Sequence, residues 1–310
     1  MSGRVGVLMM AHGTPASIEE VEPFYTRIRR GSPPSQGQLQ ELVGRYQAIG
    51  GASPLAELTA AQVAGVRARL EASSFDRYKV AFGAKHTDPS IESSASALAK
   101  EVEGVVGVVL TPHRSDRGSR EYLARAAAAI GAAAPGLAYV AVEQWFDAPG
   151  FAELLGARLN AAIDVCGGEP AVVFSAHSVP EPPDGQGQDP YGAQVALSGD
   201  LVAGVTGLAA RGIPWQVAFQ SAGRTDQRWL GPDLDATLET LAEQGTRSVV
   251  VCPIGFVSDH LEVLYDIDIE ARATARSLGL HLSRTESLNA DPELCALLAG
   301  VVQSAAKEIA

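Results

Sequence analysis

The sequence predicts an α/β protein of two like domains, each a parallel sheet flanked by helices. Three observations carry this expectation. Strand-like and helix-like segments alternate from end to end, the pattern of parallel strands joined by helical crossovers. The 310 residues suffice for two domains at ~150 residues each. Four stretches also recur in the same order, the mark of an internal duplication. L-M-M-A-H-G-T-P (8–15) returns as V-F-S-A-H-S-V-P (173–180), and V-A-F-G-A-K-H-T-D (80–88) as V-A-F-Q-S-A-G-R-T-D (217–226). V-V-L-T-P (108–112) returns as V-V-V-C-P (249–253), and E-Q-W-F-D-A-P-G-F (143–151) as E-S-L-N-A-D-P-E-L (286–294). The halves are read as residues 1–163 and 164–310, with the last helix free to pack on the first domain.

In chain order, the first half reads as strand Val5–Ala11, helix Leu55–Glu71, strand Tyr78–Ala84 and helix Ser90–Glu103. Strand Val105–Thr111, helix Arg120–Ala133, strand Tyr139–Val142 and helix Phe151–Ile163 complete it. Gly167, Gly168 and Pro170 punctuate the chain, and the alternation restarts with strand Ala171–Ala176. Helix Tyr191–Leu208, strand Trp215–Gln220, helix Leu234–Gln244 and strand Ser248–Cys252 follow. Helix His260–Leu278, strand Leu280–Ser283 and helix Pro292–Ile309 close the chain.

The repeats place one difference between the halves. The two A-H-x-x-P motifs lie 165 residues apart, the two V-A-F motifs only 137, so the first half carries 28 extra residues after its first strand. The insertion falls within residues 28–55, rich in Gly, Pro and Ser, and carries Arg29, Arg30 and Arg45, with Arg27 just before it. A long insertion at the carboxyl end of a strand reads as a lid or substrate-gripping segment; the plainer alternative is a solubilising surface loop.

A net charge of −12 argues against a general nucleic-acid binder, so any anionic ligand must meet a local basic cluster. Cys166, Cys252 and Cys295 are scattered without a CxxC, which signals neither a disulfide framework nor a thiolate metal site. No apolar stretch approaches the ~20 residues that span a bilayer, and the N-terminal run is short for a signal peptide. A cytoplasmic protein and a monomer are expected.

The densest chemistry lies in 249–270. The apolar run V-V-V-C reads as a buried strand that Pro253 and Gly255 break into a loop, and a helix opens at Ser258/Asp259. On an α-helix Glu262, Asp266 and Glu270 would stack at i, i+4 and i+8 on one face. Like charges at that spacing repel. One alternative is a solvated acidic face near a helix N-terminus. Their position after a strand-to-helix loop favours carboxylates that handle a cation. His12 and His177 leave corresponding first strands and are expected to approach a shared cleft from opposite sides. His86, His113, His260 and His281 look weaker. Imidazole and carboxylate suit divalent first-row metals and proton transfer near neutral pH, and arginines suit carboxylate or phosphate. No nucleotide motif is found.

Several stretches resemble the ferrochelatases, specifically the soluble coproporphyrin ferrochelatases of the Gram-positive type, over essentially the whole chain. They are Y-T-R-I-R-R-G (25–31), R-Y-Q-A-I-G-G-A-S-P-L (45–55), S-A-H-S-V-P (175–180), G-Q-D-P-Y (187–191), Q-S-A-G…W-L-G-P (220–232) and P-I-G-F-V-S-D-H-L-E-V-L-Y-D-I-D-I-E (253–270). The resemblance implies two Rossmann-like, chelatase-type domains and insertion of Fe²⁺ into a porphyrin held between them, with coproporphyrin III as substrate and coproheme as product. His177 and Glu262 match the catalytic pair, a neutral His177 accepting pyrrole protons or presenting iron. Asp266 and Glu270 would lead ions in or protons out. Arg29, Arg45, Ser53 and Tyr122 match positions that hold propionates; Arg30 and Tyr46, in the same motifs, join them. His12 stands where members of that type usually carry Tyr, so a nitrogen becomes the expected axial ligand of product iron. No iron–sulfur cluster is expected. Alternatives are a protoporphyrin IX ferrochelatase, a non-catalytic two-lobed haem or metal carrier, and a cobalt chelatase.

Overall fold

A computed structural model describes residues 3–116, 118–182, 189–223 and 226–309. Residues 187–188 of the G-Q-D-P-Y motif and 224–225 of the second repeat lie outside the described residues.

Strand β1 (Val5–Ala11), V-G-V-L-M-M-A, contains no polar side chain and is buried to its penultimate residue, as a strand covered on both faces must be. It pairs in parallel with β2 (Tyr78–Ala84) and β3 (Gly104–Val109), and β4 (Ala138–Val142) extends the sheet beyond β3. β5 (Ala171–His177) does the same in the second half, between β6 (Trp215–Gln220) and β7 (Ser248–Cys252), with β8 (His281–Arg284) outside β7. The strand orders β2-β1-β3-β4 and β6-β5-β7-β8 are one topology used twice. The central strands therefore deliver His12, just past β1, and His177, the last residue of β5, to equivalent places at the carboxyl ends of their sheets.

The helices are α1 (Val21–Ile28), α2 (Gln36–Ala48), α3 (Leu55–Ser73), α4 (Ile91–Ala99), α5 (Ser119–Ala133), α6 (Phe151–Cys166), α7 (Tyr191–Thr206) and α8 (Leu234–Glu243). A π-helix (Val263–Ala271), α9 (Arg272–Ser277) and α10 (Pro292–Ala305) complete the set. One apolar core joins the halves, running from Val7 and Met9 of β1 through Trp145 and Leu298 to Val172 and Phe174 of β5. Helix α10 lies against α3, β3 and β4, while α6 lies against α7, β7 and β8.

The structure adds to one local expectation and corrects another. The insertion, read as a lid or substrate-gripping segment with a surface loop as the alternative, contains α2, opened by a capping box in which Ser35 and Gln38 exchange side-chain bonds. Leu39, Leu42, Val43 and Tyr46 recur at helical spacing and pack with Val21 and with Leu261 and Tyr265 of the second half. The glycines around them masked that periodicity. The chain after Glu262 is also not α-helical but a π-helix over 263–271. Its i→i+5 bonding widens the turn, and the three acids along it differ in exposure. Glu262 is part-exposed, Asp266 buried and Glu270 exposed.

Candidate active site

Local backbone chemistry sets the site. Pro253 ends β7, and the loop turns back over the end of β5, where Gly255 N donates to Ser175 O at 3.2 Å. A Cβ on Gly255 would meet Ala176 Cα at 2.9 Å, so only glycine lets the loop lie flush beside His177. Asn289, in the left-handed region at φ 50°, accepts the Asp259 N–H at 2.8 Å and fixes the far end of the loop. Gln62 of α3 crosses from the first half to donate to Ser258 Oγ at 2.9 Å. The segment carrying His260 and Glu262 is thus held from three sides.

His177 and Glu262 meet there, Nε2 to Oε1 at 3.4 Å. The other carboxylate oxygen of Glu262 lies 3.5 Å from His260 Nε2. His177 Nδ1 donates to the Ser178 carbonyl, so Nε2 is the nitrogen that gains or loses a proton. Burial opposes charge on this imidazole, but the adjacent Glu262 carboxylate prevails and raises its pKa above 6.5. Burial also opposes ionisation of Glu262, and the His177 and His260 imidazoles overcome it, holding the carboxyl well below its usual range. Their pairing therefore draws His177 towards its charged form and Glu262 towards its ionised form.

The other side of the site differs. The His12 ring is open to the cleft yet deep in the molecule, and desolvation at that depth lowers its pKa against the opposing pull of Glu262. Its Nδ1 lies 3.2 Å from Gly13 O, which leaves Nε2 as the free lone pair. The ring stands 4.6 Å from that of His86, whose pKa falls to about 3 through burial, His12 and the cations Lys85 and Arg125. Both imidazoles are neutral at pH 7. They border a cavity of about 710 Å³ with Arg27, Arg30, Lys85 and Arg125, walled entirely by the first half. Its size is within the ~300–1,000 Å³ of ligand pockets. A second cavity of about 610 Å³, bordered by Thr14, Phe24 and Leu55, shares Arg27 with it.

The structure distributes the other predicted residues as follows. Arg29 donates to Ser32 O at 3.2 Å, and Arg30 sits beside it at φ 55°. Arg45 is ion-paired with Asp266 and lies over the Tyr265 ring. Tyr46 is buried with its hydroxyl 3.4 Å from Thr14 Oγ1. Ser53 accepts from Leu55 N at 3.3 Å and starts α3. Tyr122 is buried under Lys85 Nζ, 4.9 Å from its ring centroid, and burial raises its pKa. His113 is buried against Phe146, pushed down to about 3 by burial, and belongs to the packing. Among the described residues no three His, Cys, Asp or Glu side chains converge to hold a metal ion. Sequence reading ranked His86 and His260 as weaker candidates. Each had a signal: His86 follows the strand matched with Gln220, and His260 lies two residues before Glu262.

The ferrochelatase family model matches residues 4–306. The chain belongs to the ferrochelatase family. It is 41% identical to a ferrochelatase of Thermus thermophilus over 97% of this chain and 99% of that one. It is 39% identical to a coproporphyrin III ferrochelatase of Halalkalibacterium halodurans over 97% and 96%. The sirohydrochlorin chelatase SirB of Bacillus subtilis subspecies spizizenii, in complex with cobalt, superposes with a TM-score of 0.57 over 98% of this chain and 96% of that one. At 13% identity that likeness shows the duplicated fold alone. This ferrochelatase is a metal-chelating lyase of haem biosynthesis, with a porphyrin and ferrous iron as substrates. Among the described residues no helix is long and apolar enough to cross a membrane.

Proposed function

We propose that this ferrochelatase inserts Fe²⁺ into coproporphyrin III and releases coproheme. The observation that carries the choice of porphyrin is the cationic cavity beside His12. Arg27, Arg30, Lys85 and Arg125 face only Asp88 and Glu121 on its walls, in a chain whose net charge is −12. Lys85 is matched by Glu121 at 2.9 Å and Arg125 by Glu92 at 2.5 Å. Arg30 has no carboxylate within reach among the described residues. An uncommitted guanidinium suits a carboxylate in bidentate geometry. Coproporphyrin III has four propionates and protoporphyrin IX two, so a rim with surplus cations favours the former.

In this reading the ring lies between the halves, with His12 Nε2 on one face and the His177–Glu262 pair on the other. Arg29, Arg30, Arg45, Tyr46, Ser53 and Tyr122 surround the propionates. Two pyrrole protons must leave as the dication enters. His177 Nε2 passes its own proton to Glu262 and takes the first pyrrole proton, and once Glu262 has released its proton towards His260 the same step takes the second. Binding energy gathered at the propionates is available to bend the ring and expose its lone pairs, which lowers the barrier.

An anaerobic steady-state assay of Fe²⁺ insertion, followed by absorbance, tests the substrate. Coproporphyrin III is expected to give kcat/KM at least about tenfold above protoporphyrin IX, one charge-assisted contact. An equal or higher value for protoporphyrin IX would overturn the choice.

A further inference from the structure

The second cavity, of about 610 Å³, lies between α1, the start of α3 and β2, and metal insertion makes no use of it. Its walls fall into two zones. Inside, Pro15 and Phe24 are buried, and Leu55 and Phe82 stand half-buried beside them. One polar group interrupts this lining. Thr59 is 3% exposed and borders the cavity, and its hydroxyl has no hydrogen-bond partner among the described residues. A buried hydroxyl left unpaired is costly, and a ligand can supply the missing partner. At the mouth stand Glu20, Arg27 and Asp88, all exposed. Glu20 Oε2 already accepts the Ala16 N–H at 3.1 Å. Arg27 Nη1 donates to His86 O at 3.3 Å and lies 3.9 Å from Asp88 Oδ2, wider than a hydrogen bond. Both side chains of that loose pair are more than half exposed, so little holds it together.

A lone anion at this mouth would meet Asp88 and Glu20, and a lone cation would meet Arg27. A molecule that carries both charges a few ångströms apart meets neither penalty, because it can replace the loose pair by two direct ones. A peptide terminus has one of these charges and not both. We propose that the cavity is a second binding site, for a free aromatic α-amino acid with a ring hydroxyl. Its carboxylate sits on Arg27 and its ammonium on Asp88. Its ring enters the lining of Phe24 and Phe82, as aromatic faces and edges favour, and its hydroxyl pairs with Thr59. Arg27 and Asp88 also border the cavity beside His12, so an occupant here draws that guanidinium away from the porphyrin. The two ligands therefore weaken each other reciprocally. This last consequence rests on the functional reading above; the amino-acid site does not.

The test is a calorimetric titration of the whole chain with L-tyrosine, beside a fluorescence titration of coproporphyrin III with and without it. L-tyrosine is expected to bind at one site with Kd below about 1 mM. Tyramine, 3-(4-hydroxyphenyl)propionate and L-phenylalanine lack the carboxylate, the ammonium and the ring hydroxyl in turn, and each should bind about fivefold or more weakly, the loss of one hydrogen-bonded contact. T59V, which keeps the shape and removes the hydroxyl, should bind tyrosine no better than phenylalanine. R27Q should lose about tenfold in tyrosine affinity, one charge-assisted contact. A56F, on the exposed first turn of α3 at the cavity wall, should fill the space, abolish tyrosine binding and leave metal insertion as in wild type. Saturating tyrosine should weaken porphyrin binding about threefold in wild type, a modest coupling, and not at all in A56F. Should A56F not fold, T59V and R27Q carry the same comparison. No saturable binding of tyrosine, equal binding of the analogue without the ammonium, or tyrosine binding unchanged in these variants would overturn the site. Porphyrin affinity unmoved by bound tyrosine would overturn the sharing of Arg27. Failure of the wild type to bind coproporphyrin III would instead overturn the functional reading and leave the tyrosine titration to decide the site.

Discussion

The two halves share one strand order, and each delivers a histidine from its central strand, yet the surroundings of those histidines are opposite in character. His177 faces an acid, Glu262, and is drawn towards its charged form. His12 faces another imidazole among arginines and lysine, and desolvation drives it towards its neutral form. Duplication supplied the position; the neighbours brought by the loops decided the chemistry. One half offers a proton-handling pair, the other a neutral nitrogen beside a rim fit for anions. A planar ligand whose centre loses protons and whose edge carries carboxylates needs both.

The largest effect should come from removing the acid. Glu262→Gln is expected to lower kcat for metal insertion by ~10²–10⁴, the usual scale of lost acid–base catalysis. Porphyrin affinity, read by fluorescence, should stay within about threefold, within the scatter of a surface change. The double variant with His177→Ala should be no worse than either single one, since residues acting as a unit are not additive. Intact turnover in Glu262→Gln would erase the contrast between the halves.

The next effect concerns pH. The pKa of His177 is raised above 6.5, so its share of stability is full below 6.5 and is lost as pH climbs through the raised value. Glu262 is depressed below 4.5, so its share is present above 4.5 and is lost as pH falls through the depressed value. The melting-temperature gap between wild type and Glu262→Gln should therefore be widest between pH 4.5 and 6.5 and narrow towards pH 9. A gap that is flat across this range would deny the ion pair. His12, already neutral, contributes no such window.

A smaller effect sharpens the other half. His12→Ala should shift the absorption bands of the iron coproporphyrin complex while lowering insertion only severalfold, the scale expected of a group outside the proton relay. An unchanged spectrum would remove His12 from the iron. Smallest of all, Arg30→Ala should cost about threefold in coproporphyrin kcat/KM, less than one full charge-assisted bond, and leave protoporphyrin turnover nearly unchanged. Equal losses for both porphyrins would deny this arginine a role in selectivity.

Topology was legible because the duplication wrote it twice, with apolar strands and punctuating Gly and Pro in the same order. The proposed catalytic pair was legible through its dense, specific motifs, and the structure brings His177 and Glu262 to 3.4 Å. The π-helix was not, because its i→i+5 bonding leaves the apolar pattern of V-L-Y-D-I-D-I-E readable as an ordinary helix. Helix α2 hid behind Gly37 and Gly44, which lower helix propensity while Leu39, Leu42, Val43 and Tyr46 still pack one face. The Arg45–Asp266 pair joins residues 221 apart, and no local pattern encodes such a meeting. The reversal of charge preference between His12 and His177 also depends on tertiary context: desolvation outweighs Glu262 at His12, and Glu262 outweighs desolvation at His177.

A crystal structure of the chain with iron coproporphyrin III bound tests the central claim most directly. The account predicts the macrocycle between the halves, with His12 Nε2 on the iron from one face and the His177–Glu262 pair against the other. A macrocycle seated outside that cleft, or both histidines on the same face of the ring, would contradict it.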